Sequence, residues 1–371
     1  MKLSFANAYS PPVQLLNNHK KTNNLKVVSF TGKELITTER QNIMGEIQQE
    51  IEKAKKIAVF TPVKPDGDAA GSAASLKNLI KTKYPEKQVD VFIADDIPTG
   101  FKVLNDTSSF EYINRKTDLE KIKQRNYDLS ISVDVASTSL MGNEAAEIFN
   151  AAPKKIKIDH HSSSEKFGDI ELTCSEASSA SQVILMLADS MKVKLNQDLA
   201  ADIYLGLVTD TGGFRYMTKP ADVFEDCSTL TKTGFDTRKV YCSAMDYMSQ
   251  ASFKLYSDII KNIKFSEGGK LAYIVDDNTL NKQGISKSDV KNIFDTIVGE
   301  IMPNIEGVKI AAKINDQKNQ TSGSLRGNGV SVDKLAEKFG GGGHEYASGF
   351  ARCNQSVSQI LQQISDYLKT K

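Results

Sequence analysis

At 371 residues the chain is long enough for two domains with separate cores, and its 47 Lys and Arg nearly cancel 46 Asp and Glu to a net charge of +1. That balance excludes a long polyanion held through many phosphates, so a nucleic-acid ligand has to be short and held in a local pocket; no long duplex is expected as partner. Four scattered cysteines, Cys174, Cys227, Cys242 and Cys353, form no Cys-x-x-Cys pair, which excludes zinc ribbons and disulfide frameworks and fits a reducing cytoplasm.

Residues 1–38 mix Asn, Lys, Ser and Pro without helical or strand periodicity and read as a flexible N-terminal tail. The first residues are too polar for a secretory signal, and no apolar run approaches the roughly 20 residues that span a bilayer, so no membrane partner is expected. An amphipathic segment, QNIMGEIQQEIEKAKK, then opens an alternation of helices and short apolar strands: IAVFTP, VDVFIAD (89–95), DLSISVDV (128–135) and KIKIDHH (155–161). This pattern predicts an α/β domain with a parallel sheet over 39–240, each strand ending in carboxylates or histidines on the sheet edge where ligands bind. Helices follow in SSASQVILMLADSM and NQDLAADIYLGLVTDTGGF. A linker helix is expected over 241–262, then a smaller α/β domain over 263–371 with strands KLAYIVDD, GVKIAAKIND and TSGSLRG, and a helix VSVDKLAEKF running into a glycine run.

Four acidic clusters carry the candidate chemistry: Asp66 and Asp68 in PDGD, Asp134 at the end of a strand, Asp159-His160-His161 at the end of another, and Asp210 in TDTG. Converging carboxylates and imidazoles suit a binuclear Mn²⁺ or Mg²⁺ site, which stabilises attacking and leaving oxygens in phosphoryl displacement. Each piece also has a plain structural reading. Asp-Gly-Asp suits a turn, and Asp134 or Asp210 could merely cap a helix. Their occurrence together in one α/β unit is what favours the site.

PDGDAAGSAASL, SVD, IDHHSSS and GLVTDTGGFR resemble the successive motifs of the DHH phosphoesterase superfamily. SLRGNGVSVDKLAEKFGGGGHEYASG resembles the DHHA1 substrate-binding domain of its oligoribonuclease and pAp-phosphatase (nanoRNase) branch. The resemblance covers most of residues 50–365 and implies a manganese-dependent phosphoesterase acting on short oligoribonucleotides or 3′-phosphoadenosine 5′-phosphate. It also implies roles. Asp68, Asp134, His160 and Asp210 would hold one ion, Asp134 would bridge to a second ion also held by Asp66, and His161 would face the scissile phosphate. Arg326, Gly340, Gly341, Gly342, Gly343 and His344 would bind substrate, since a glycine run admits close anion approach and Arg forms bidentate bonds to phosphate.

Two departures bear on this expectation. The family's histidine four residues before the first Asp is here Pro62, which cannot coordinate a cation, and the usual Asn after the paired histidines is replaced within Ser162-Ser163-Ser164. The first leaves either an enzyme with weaker affinity for one ion or a nucleotide-binding module with weakened catalysis; a cyclic- or linear-dinucleotide phosphodiesterase is a separate alternative within the enzyme class. The sequence sets no oligomeric state and is compatible with a homodimer.

Overall fold

The computed structural model describes residues 35–114, 117–277, 279–317 and 320–370. The stretch expected to be a tail thus lies largely outside the described residues, but Leu35 within it is fully buried against the first core. Packing therefore begins ahead of the first helix, Thr38–Lys53.

The first domain is an all-parallel sheet built from β1 (Lys56–Phe60), β2 (Gln88–Ile93), β3 (Glu111–Tyr112), β4 (Leu129–Val133), β5 (Lys154–Asp159) and β6 (Ile170–Thr173), in the order β3-β2-β1-β4-β5-β6. The four strands expected from sequence are β1, β2, β4 and β5. Their apolar runs are continuous because both faces are covered, as in β4, where every residue is buried. β3 and β6 were not expected. At two and four residues they are too short to show a period, and pairing with β2 and β5 defines them.

Strand order reverses between β1 and β4, and the segments leaving their carboxyl ends carry Asp66 and Asp134 on loops and Asp68 on the first turn of a helix. Against the sheet lie helices Gly67–Lys83 and Ala180–Ser190, and Gln197–Asp210 packs on both of them; each is started by a side-chain cap, Asp66, Ser179 and Asn196.

The second domain is a mixed sheet of β7 (Lys264–Ser266), β8 (Leu271–Asp276), β9 (Ile310–Gln317), β10 (Gln320–Gly327), β11 (Gly342–His344) and β12 (Ala347–Cys353), ordered β11-β12-β10-β9-β8-β7. Only β8 and β9 pair in parallel. Part of the glycine run is thus an edge strand, β11. Its neighbour Gly341 could not carry a side chain, because an added Cβ would stand 2.0 Å from the Gly349 carbonyl.

Between the domains a short helix, Thr237–Tyr241, runs into a π-helical turn, Cys242–Asp246, before helix Gln250–Lys261. That last helix packs Leu255 and Ile259 with Ile293, Phe294 and Ile297, and so belongs physically to the second core. The Thr99 amide and hydroxyl bond Asp289 at 3.0 and 2.8 Å, joining the two domains directly. Among the described residues no helix is long and apolar enough to cross a membrane.

Candidate metal centre and interdomain cleft

Asp66 and Asp68 enter through the N-terminus of helix Gly67–Lys83. Asp66 Oδ1 caps that helix, accepting from the Asp68 and Ala69 amides at 3.1 and 3.0 Å. Asp68, on the first turn, is buried and reaches across to the start of the Ala180–Ser190 helix. There its Oδ2 and Oδ1 accept from the Ala180 and Ser181 amides at 2.6 and 2.9 Å. Two of the free amides of a helix N-terminus thereby hold a buried carboxylate in one orientation.

Asp134 follows β4 with a φ of +58°, left-handed backbone that Asp tolerates better than most residues, while its amide stays on the Ile158 carbonyl. Asp210 ends the Gln197–Asp210 helix. This helix lies close to Gly67–Lys83 only because glycines line the crossing. A Cβ on Gly206 would stand 1.9 Å from Ser181 Oγ and 2.7 Å from Asp68 Oδ1, and one on Gly67 2.3 Å from Thr209 Oγ1.

His160 is where these elements meet. Its Nε2 lies 3.4 Å from Asp210 Oδ2, 3.6 Å from Asp134 Oδ1 and 3.8 Å from Asp68 Oδ2. These separations are long for hydrogen bonds but suit ligands of one cation, since atoms roughly 2.1 Å from a shared ion lie about 3 to 4 Å apart. Asp134 Oδ1 is buried with no hydrogen-bond partner, the position of an atom that needs a cation. Two overlapping groups could hold metal: Asp68, His160 and Asp210, and Asp134, His160 and His161. Asp66 stands outside both triplets.

Electrostatics point the same way. Burial, then the Asp68 charge, pushes Asp134 well above the usual carboxylate range and Asp210 up to about 7. Asp68 is raised by burial. Burial alone would lower the His160 pKa, but the contact with Asp134 and the fields of Asp68 and Asp210 raise it to about 10. Several carboxylates buried around one imidazole repel one another, and a divalent cation relieves that repulsion, so the donor set fits a hard metal ion with oxygen and imidazole ligands.

His161 is arranged differently from His160. Its Nδ1 sits 2.8 Å from Asp159 Oδ1, and that bond raises its pKa. Asp159 is fully buried and also accepts from the His160 and His161 amides and the Ser164 hydroxyl. Ser164, one of the serines standing where the family has Asn, is in turn held by the buried Lys157 ammonium at 2.9 Å.

The cluster opens onto a cleft of about 540 Å³ between the domains, with Asp66 and Asp210 on its near wall, Tyr241, Met245 and Tyr247 beside the π-helical turn, and Glu300 and Asn304 from the second domain. Of the substrate residues expected from sequence, Arg326 is not among the described residues that line the cleft, and its Nε lies 3.8 Å from where a Cβ on Gly299, the neighbour of Glu300, would stand. Gly340, Gly341, Gly342, Gly343 and His344 are not among the described residues that line the cleft. Sequence reasoning marked Ser164 as part of the Ser162-Ser163-Ser164 departure but missed Lys157 and the close-approach glycines. It also missed Arg215, which lines the cleft five residues after Asp210 and whose guanidinium bonds Glu300 across the gap.

A two-domain α/β chain with a carboxylate and histidine cluster at a sheet switch point, facing an interdomain cleft, defines a hydrolase of the metal-assisted class. Comparison gives the family. "DHH family, N-terminal domain" matches residues 56–207 and "DHHA1 domain" matches 269–370, and the chain belongs to the DHH family of phosphoesterases.

An uncharacterized protein of Mycoplasma genitalium is 29% identical over 86% of this chain and 93% of its own length. The bifunctional oligoribonuclease and PAP phosphatase NrnA of Bacillus subtilis is 27% identical over 79% of this chain and 88% of its own. Among solved structures, an exopolyphosphatase-related protein of Bacteroides fragilis has a TM-score of 0.77 at 26% identity, covering 89% of this chain and 96% of that one.

Proposed function

We propose that this phosphoesterase hydrolyses short oligoribonucleotides, 3′-phosphoadenosine 5′-phosphate, or both, with manganese as its metal. One observation carries the reading: three carboxylates from separate elements stand within 3.8 Å of His160 Nε2, beside a cleft the size of a small nucleotide. The similarity to NrnA proteins over most of both chains supports this substrate class.

Asp68, His160 and Asp210 would hold one ion, and Asp134 would be shared with a second, which Asp66 would reach from the mouth of the cleft. Bound there, the cations would activate water and neutralise charge on the phosphoryl oxygens. The protein's own part is positioning. The Ala180 and Ser181 amides fix Asp68, and the buried Asp159 holds His161 by Nδ1, leaving Nε2 to face a phosphoryl oxygen. His161, half-exposed and with a raised pKa, would donate to that oxygen as charge develops. Arg326 and the Gly340–His344 segment would take the remote end of a substrate if the second domain closes further over the cleft.

Purified protein supplied with Mn²⁺ should release mononucleotides from two- to five-residue RNAs or phosphate from 3′-phosphoadenosine 5′-phosphate, in preference to cleaving cyclic dinucleotides. Asp134→Ala should abolish release. Unchanged turnover in that variant would remove the site from the reading, and turnover of cyclic dinucleotides alone would replace the substrate class.

A further inference from the structure

The cleft has a charge problem. Five carboxylates, those of Asp66, Asp210, Asp246, Asp289 and Glu300, line it, and among the described lining residues the one cationic side chain is Arg215. A phosphorylated ligand entering such a cleft meets net repulsion wherever metal ions do not offset it. Arg215 is the group able to offset it away from the metal cluster, and its place is well defined. The Arg215 and Tyr216 amides both bond the Thr211 carbonyl at 2.9 Å, and the Thr211 hydroxyl accepts from the Phe214 amide at 3.1 Å. The turn runs through positive φ at Gly212, Gly213 and Phe214, with Phe214 at +70°. A bulky residue persists there only where surrounding bonds over-determine the backbone, so the turn fixes Arg215 relative to Asp210.

The guanidinium is occupied, however. Its Nη1 bonds Glu300 Oε2 of the second domain, and the two side chains are 55% and 31% exposed. An ion pair this wet holds its partner by no more than about fivefold in an equilibrium constant. A phosphate offers the planar fork two charge-assisted bonds and more negative charge than a carboxylate. The domains do not depend on this pair alone, because Thr99 and Asp289 bridge them independently.

We propose that Arg215 is a phosphate-binding residue of the cleft and that Glu300 masks it until an anionic ligand displaces the carboxylate. The exchange makes Glu300 a competitor in place: it keeps the guanidinium oriented in the empty cleft and lowers the apparent affinity of every anion that uses Arg215 by the same factor. This rests on the nucleotide-hydrolase reading for the identity of the ligand but not for the behaviour of the pair.

The test is equilibrium binding, by fluorescence anisotropy, of a labelled diribonucleotide whose linkage is a non-hydrolysable methylene phosphonate, to the full chain with Mn²⁺. Glu300→Gln should tighten binding about three- to fivefold. Arg215→Ala should weaken it at least about tenfold, and Arg215→Lys should recover part of that loss, because the charge returns without the fork. In the Arg215→Ala background, Glu300→Gln should then change nothing, since there is no cation left to unmask. If Glu300→Gln tightens binding equally in both backgrounds, Glu300 acts by general repulsion and masking is overturned. Unchanged binding in Arg215→Ala, or no binding by any variant, overturns the proposal as well. Hydrolysis of the matching unmodified dinucleotide by the wild-type chain is scored separately, so loss of the hydrolase reading is visible even where the pair behaves as expected.

Discussion

Asp159 Oδ1 stands 2.8 Å from His161 Nδ1, and the same carboxylate accepts bonds from the amides of both histidines. Asp159 is thus the residue that turns two adjacent histidines to different tasks, with His160 aimed into the carboxylate cluster and His161 held at its edge. The histidine bond and the Ser164 hydroxyl overcome the effect of burial and bring the Asp159 carboxyl down to about 2, so it is ionised at neutral pH.

Asp159→Asn keeps the shape but replaces one acceptor with a donor, setting its amide hydrogens against the His161 N–H or the Ser164 hydroxyl. Activity should fall about 10- to 100-fold, the range typical for the partner of a functional imidazole. Steady-state kinetics with circular dichroism as a folding control checks this. Ser164→Ala should give a smaller loss in the same direction.

Gly206→Ala tests the helix crossing that brings Asp68 to Asp210. The added methyl meets Ser181 Oγ and Asp68 Oδ1 at separations no folded structure accepts, so the helices must part. Overpacking of this kind costs about 1 to 3 kcal/mol, read as a lower denaturant midpoint, and metal affinity should fall with it because Asp68 is displaced.

The metal-free protein should lose stability as pH rises. Asp210 and Asp202 have folded pKa values of about 7 against an ordinary 3.8, both raised first by burial. Such acids keep protons that unfolding releases, so their contribution is full below about pH 4 and is lost as pH rises through about 7. His160, raised to about 10, acts in the same direction over a higher window, its contribution present below 6.5 and lost as pH rises through about 10. Thermal melts with chelator should therefore fall between about pH 5.5 and pH 8.5, and Mn²⁺ should flatten the curve by replacing protons at Asp210 and His160. Asp202 lies outside the cluster, bonded to Asn78 and Asn105. Asp202→Asn should remove its share of the slope, of order 4 kcal/mol at most. A metal-free melting temperature that rises over this range contradicts the assignment.

Pro62→His returns a nitrogen donor to the position where the family has one. The expected outcome is at least about tenfold tighter binding of the second divalent ion proposed for Asp66 and Asp134, measured by calorimetry with Mn²⁺, with a smaller gain in turnover. Unchanged affinity would mean that Asp66, Asp134 and water suffice for that ion.

The sequence by itself determined the α/β class, four strands of the first sheet, and residues that meet at the centre: Asp68, Asp134, His160 and Asp210. It could do so because apolar runs ending in carboxylates are local patterns, and a parallel sheet places such ends on one edge. β3, β6, β7 and β11 were not legible, since two- to four-residue strands are defined by their partners and carry no period of their own, and the seven-residue β12 was not read as a strand either. Tertiary structure alone decided that Asp159 orients His161, that Gly67 and Gly206 allow the helices to approach, and that Arg215 meets Glu300 across 85 residues of chain. The reason is physical: a hydrogen bond or close packing between distant segments depends on distance in space, which local spacing does not encode.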